Sequence, residues 1–155
     1  MTRKTFRRIL RLQSRIPGLY AALAFVLARR VTVRGWSMSP ALLPGERLLF
    51  DRLAYVRDRP RKGDIVLVTH PLRMELRMVK RLGGAPGDAV GERALSRDEY
   101  WVLGDNPDGS TDSREFGPVS RRDLLGRAWI RYWPAEDWTV YGRQTGKHGN
   151  RQTEA

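Results

Sequence analysis

Cysteine is absent from this chain, which removes disulfide staples, thiolate metal sites and a cysteine nucleophile from consideration. Histidine is nearly absent. His148 lies in a polar tail, and His70 stands alone before Pro71 at the end of an apolar run. A Ser–His mechanism therefore has little to work with, and no His or carboxylate cluster shows metal-ligand spacing, so no metal is expected. Lysine is scarce as well: of 29 basic residues only Lys4, Lys62, Lys80 and Lys147 are not arginine. Acidic residues are missing from the first 45 positions, which carry nine Lys and Arg, whereas the remainder holds 20 basic and 17 acidic residues. The net charge of +12 is thus concentrated at the front, and it is not spread along the chain as a nucleic-acid surface would require.

No long hydrophobic run is present either. The longest uncharged apolar stretch, Ile16–Ala28, has 13 residues, bracketed by Arg15 and by Arg29-Arg30. As a helix it would span roughly 20 Å, short of the ~30 Å hydrocarbon core of a bilayer. Ahead of it, Phe6, Ile9, Leu10 and Leu12 interleave with arginines, the composition of a basic amphipathic helix. Residues 1–30 are expected to anchor the chain to a lipid bilayer, spanning it or lying in its interface. A cleaved signal peptide or a buried helix are the other readings of the same stretch.

What is present after residue 30 reads as β. Arg47–Leu53, Ile65–Thr69, Leu76–Leu82, Tyr100–Leu103 and Gly126–Trp133 are short apolar or alternating runs. Turn clusters separate them at Pro44-Gly45, Lys62-Gly63-Asp64, Gly83-Gly84, Pro86-Gly87-Asp88 and 105–109. The fold class expected is mostly β, a compact antiparallel barrel-like domain over residues 31–141, preceded by the N-terminal hydrophobic helix. The polar residues 142–155 are expected to be disordered.

With cysteine gone and histidine scarce, a serine activated by lysine is the nucleophile option left. Arginine cannot replace lysine as a base, because it does not give up its proton in proteins. Lys4 and Lys147 lie in terminal segments and Lys62 in a turn, so Lys80 is the lysine placed within a strand. Alternation puts it on one face with Met78 and Leu82, with Arg77, Val79 and Arg81 on the other. An amine between apolar neighbours can be held neutral, although a strand lysine that simply reaches solvent fits the same pattern. The candidate nucleophile is in Gly35-Trp36-Ser37-Met38-Ser39-Pro40, where Gly35 permits unusual backbone angles and Pro40 stiffens the exit.

Together these segments resemble the type I signal peptidase family. The similarity is carried by Gly-x-Ser-Met-x-Pro at 35–40, by Lys62-Gly63-Asp64 leading into Ile65–Val68, and by Val79-Lys80-Arg81-Leu82 followed by Gly84-Ala85-Pro86-Gly87-Asp88. It is carried also by Gly104-Asp105-Asn106, then Ser110, Asp112-Ser113-Arg114 and Gly117, all in the family's order. The resemblance implies that Ser37 attacks the scissile carbonyl and that neutral Lys80 takes its proton. It implies that Ser110 orients the Lys80 amine, that Asp112 and Arg114 form an ion pair holding their segment against the nucleophile strand, and that Asp105 and Asn106 brace the same loop. Met38 would pack beside the lysine and exclude water. Many members carry a hydroxyl two positions before the nucleophile to stabilise the oxyanion. Here Gly35 stands there, so the hole would rest on the Ser37 N–H and other donors. Only 16 residues separate Asp88 from Asp105, so the extra β domain of some members is missing.

The implied function is a membrane-associated serine endopeptidase that removes N-terminal signal peptides after an Ala-x-Ala site, with no cofactor. Its N-terminus would be cytoplasmic and its catalytic domain on the outer face of the cell membrane. Its partners would be precursor proteins and the lipid bilayer, not nucleic acid. A dedicated maturation protease for one precursor, of the nickel superoxide dismutase type, shares the chemistry. A non-enzymatic basic lipid-binding module would leave the order of the motifs unexplained.

Overall fold

The apolar residues Ile65-Val66-Leu67-Val68 lie at the centre of the protein. The computed structural model describes residues 17–141. In it these residues belong to β3 (Ile65–His70), flanked by β4 (Arg73–Gly84) and β9 (Leu124–Trp133), both antiparallel to it. Val66 and Val68 join a core with Leu82, Val102 and Val119, while Ile65 and Leu67 join a second with Leu42, Leu48 and Phe50. A strand covered on both faces is a continuous apolar run and does not alternate.

Around this centre the sheet runs in the order β1 (Arg29–Thr32), β2 (Arg47–Asp51), β9, β3, β4, β7 (Glu99–Leu103), β8 (Val119–Ser120). A short β10 (Thr139–Val140) pairs with β9, and β5 (Ala89–Val90) with β6 (Arg93–Ala94) makes a separate hairpin. The architecture is mostly β and antiparallel, as expected, but the sheet does not close into a barrel. β1 and β8 end the path and do not pair with each other. β8 is only two residues long, which discourages strand pairing at that edge.

The five strands expected from alternation are all present, with ends shifted by up to three residues. Gly83 and Gly84 are a correction. They do not turn the chain but close β4, where Gly84 pairs with Trp101. A Cβ on Gly83 would stand 2.7 Å from Leu103 Cδ1, and one on Gly84 3.0 Å from Leu95 Cδ1. Glycine serves close packing there. At Gly45, Gly63 and Gly87 the expected turns do occur, each with positive φ.

The hydrophobic helix is α1 (Pro17–Leu27), about 16 Å long at 1.5 Å per residue. No described helix is long and apolar enough to cross a membrane. One side of α1 rests on the domain: Ala24 is buried, and the Tyr20 hydroxyl donates to Asp51 Oδ2 on β2 at 2.5 Å. Leu19, Phe25 and Val26 remain exposed. The basic segment 3–15 and the tail 142–155 lie outside the described residues.

Candidate active site

β4 delivers Lys80. Along its second half the buried positions Lys80, Leu82 and Gly84 alternate with half-exposed Val79, Arg81 and Gly83, as a two-residue period requires. Met78 and Leu82, the neighbours on the lysine's face, both belong to the first core. Lys80 is only 3% exposed. Burial pushes its amine below the ordinary lysine pKa, against the pull of the Asp112 carboxylate; Arg114 adds to the downward push and Glu115 opposes it.

The chain between β1 and β2 carries Ser37. It is closed at its base by two backbone bonds, Val33 N–H to the Glu46 carbonyl at 2.8 Å and Gly45 N–H to the Val33 carbonyl at 3.0 Å. Arg131 on β9 reinforces the base by pairing with buried Glu46 at 2.8 Å, and Glu46 also accepts the Leu43 N–H. Within the turn Gly35 has φ +75°, an angle L side chains rarely adopt. Directly after Ser37, Met38 and Leu42 are buried in the second core, so hydrophobic burial pins the chain's exit from the Ser37 turn.

The third part is the segment after β7. Asp112 is fully buried and gathers five donors, one of them the Arg114 backbone N–H to Oδ1 at 3.2 Å. Gly104 N–H and the Ser110 hydroxyl reach Oδ2, each at 2.8 Å, and Arg114 binds both oxygens through its guanidinium at 2.9 and 2.7 Å. Burial alone would raise the Asp112 carboxyl, but these bonds outweigh it and hold it well below the usual carboxylate range. An ionised carboxylate can only accept, so Ser110 must spend its proton on Asp112. The bond between Lys80 Nζ and Ser110 Oγ, 2.7 Å long, is therefore donated by the amine. A neutral amine that donates to Ser110 keeps its lone pair for another proton.

Two further contacts join the parts. Asn106 N–H donates to the Ser37 carbonyl at 3.1 Å, and Arg81, next to Lys80, binds Asp105 through two bonds of 2.8 and 2.7 Å. Alternation had sent Arg81 to the far face with no role. The signal that could have found it is its adjacency to the lysine, with an acid in Gly104-Asp105-Asn106 waiting for a cation. Gly104 was also without a role. A Cβ there would lie 2.1 Å from Ser110 Oγ and 2.5 Å from the Ser37 carbonyl oxygen, so only glycine lets the two segments meet.

Ser37, Met38 and Lys80 share a cleft of about 630 Å³, walled by residues 29–34 on one side and 76–80 on the other. Among the described residues the β1 wall has no strand partner along its outer edge. Gly35 is exposed and is not among the cleft's lining. His70 is elsewhere engaged: its Nδ1 accepts the Leu72 N–H, and its ring packs against Phe116 with centroids 4.8 Å apart.

This arrangement can be set beside known proteins. The profile of the family described as signal peptidase, peptidase S26, matches residues 7–94 and 90–133. The chain belongs to the signal peptidase family. It is 37% identical over 117 residues to the mitochondrial ATP-independent inner membrane protease subunit 1a of Arabidopsis thaliana, covering 67% of this chain and 70% of that one. It is 35% identical over 132 residues to the mitochondrial inner membrane protease subunit 1 of Xenopus tropicalis, with 78% and 79% covered. A probable signal peptidase I-2 of Synechocystis is 31% identical over 130 residues, covering 63% of this chain and 60% of that one. The protein is therefore a serine peptidase, and two of these relatives are named as inner membrane proteases.

Proposed function

We propose that this signal peptidase removes N-terminal signal peptides from exported precursors, with Ser37 as nucleophile and Lys80 as general base. The observation that carries the reading is the state of the Lys80 amine. It is buried, lowered in pKa, and held by a serine whose own proton is committed to Asp112.

In the first step the neutral amine takes the Ser37 proton as Oγ attacks the scissile carbonyl. The resulting ammonium then protonates the departing amine, leaving an acyl-enzyme on Ser37. A water entering the same cleft gives a proton to Lys80 as its oxygen attacks the ester carbonyl. The bond to Ser37 Oγ then breaks, Lys80 returns the proton to Oγ, and the signal peptide leaves with a new carboxyl end. Asp112, Arg114, Ser110, Asp105 and Asn106 act by holding the two reacting groups in register, since errors of about 1 Å can cost on the order of a hundredfold in rate. The free edge of β1 supports an extended substrate, whose backbone could add to it as a further strand. Residues at the end of the signal peptide would follow the Ala-x-Ala pattern.

A membrane-surface location fits the exposed apolar side chains. Leu19, Phe25 and Val26 on α1, and Leu72 and Met74 at the tip between β3 and β4, are at least about half exposed. These side chains support membrane association of the segment that includes α1, and the proposed orientation, basic N-terminus cytoplasmic and catalytic domain on the outer face, requires that segment to cross the bilayer. The test is mass spectrometry of a precursor bearing an Ala-x-Ala site, incubated with the protein or with Ser37→Ala. The expected result is one cut at the site with the wild type and none with the variant. Equal cutting by both would remove Ser37 from the mechanism.

A further inference from the structure

Most described arginines form no ion pair, and what sets four of them apart is that they line one cleft. Arg81, Arg93, Arg114 and Arg131 each pair with a carboxylate. Arg29, Arg30, Arg34 and Arg77 have no ion pair among the described residues, and all four line the cleft that holds Ser37 and Lys80. No Asp or Glu lines that cleft. Arg34 stands three residues before Ser37 and Arg77 three residues before Lys80, so the uncompensated charge brackets the reacting pair on both walls. Its effect is already felt within the protein: burial, with repulsion from Arg77 and Arg52, pushes the Arg29 guanidinium below its ordinary pKa.

Like charges lining a concave site focus a field into it and attract ions of opposite sign. Four arginines with no carboxylate among the described lining residues stand where a peptide would lie. We propose that the cleft selects precursors carrying aspartate or glutamate within a few residues of the scissile bond. This deepens the peptidase reading and rests on it. A bilayer of anionic lipid would also attract arginines, but a cleft concave around Ser37 and Lys80 fits an extended peptide better than a flat surface.

The experiment uses the full chain and an Ala-x-Ala peptide in which a single Asp is moved from the third residue before the cut to the fourth after it. At one or more positions kcat/KM should rise about threefold to tenfold over the all-neutral parent, the range a partly exposed charge meeting several cations gives. The gain should fade between about 0.05 M and about 0.5 M salt. Lys at the same position should lower kcat/KM, and Arg34→Glu should invert the Asp-over-Lys preference. A second arm needs no cleavage. With Ser37→Ala, fluorescence anisotropy should show tighter binding of the Asp peptide than of the parent, and Arg34→Gln with Arg77→Gln should bring that ratio toward one. A parent cut normally with Asp neutral or harmful at every position overturns the inference and leaves the peptidase reading intact. A parent that is never cut counts against the peptidase reading, while the anisotropy ratio still decides this one. If the Gln changes weaken binding to anionic vesicles but leave the peptide ratio unchanged, the arginines serve lipid and the inference fails.

Discussion

The backbone N–H of Asn106 donates to the Ser37 carbonyl across 3.1 Å. Two residues earlier, Gly104 presses against that same carbonyl and against Ser110. The turn bearing the serine and the segment orienting the lysine therefore meet through backbone, without a side chain between them. Both groups proposed to react inherit their separation from this contact.

Gly104→Ala tests it directly. The added methyl would fall 2.1 Å from Ser110 Oγ and 2.5 Å from the Ser37 carbonyl, and neither neighbour is a flexible end. Cleavage should drop by on the order of a hundredfold or more. Gly83→Ala is the control, since its methyl meets the movable end of Leu103, and it should retain most activity. Comparable rates for both variants would remove the close approach from the mechanism.

Lys80→Arg keeps the charge and approximate length but cannot release a proton at any working pH. It should be inactive in the peptide assay, while Lys62→Arg, on an exposed turn, remains active. For the wild type the sign of the pH effect follows from burial. The ammonium is the inactive form and its pKa is lowered, so the rate should rise with pH through a midpoint below the free-lysine value of about 10.4. A midpoint at or above that value would disqualify Lys80 as the base.

Asp112→Asn separates support from catalysis. The Asp112 carboxylate raises the Lys80 pKa by favouring the ammonium. Its removal should shift the pH–rate midpoint to lower pH, a change a purely structural residue would not cause. The variant should also lose about 1–3 kcal/mol of stability, because buried Gly104 N–H and the Ser110 hydroxyl lose a charged acceptor. An unmoved midpoint in denaturation-competent, folded protein would break the proposed link.

How much of this was legible beforehand depended on pattern length. β3 and β4 announced themselves because Ile65–Val68 is continuously apolar and Leu76–Leu82 is a short apolar-rich run bounded by turn residues. β1 was hidden: Arg29-Arg30-Val31-Thr32 has no apolar period, and it is a strand because β2 offers it an edge. Closure of the sheet depends on which distant edges meet, which local pattern does not record. At the site, motif order pointed to Ser37, Lys80, Ser110 and Asp112, but Gly104 and Arg81 acquire roles only when separate segments approach each other.

Gly35→Ser would return a hydroxyl to the place where many family members carry one. The space beside Gly35 is open, but its φ of +75° strains any side chain, at about 1–2 kcal/mol. The variant should melt earlier than its parent, with kcat/KM no higher. A clear gain in kcat would mean that the turn can relax and that the missing donor limits the rate.

Met38 and Leu42 place the nucleophile's turn inside the second core, although such a turn would ordinarily sit on a loose surface. Opening that turn means withdrawing both side chains from Phe50 and Leu48, the same contacts that hold β2 in the sheet. The amide of Leu42, bonded to the Met38 carbonyl, therefore belongs with the slowest-exchanging protons in the chain, those released only by global unfolding. The turn that carries Ser37 therefore stays closed for as long as the second core stays packed.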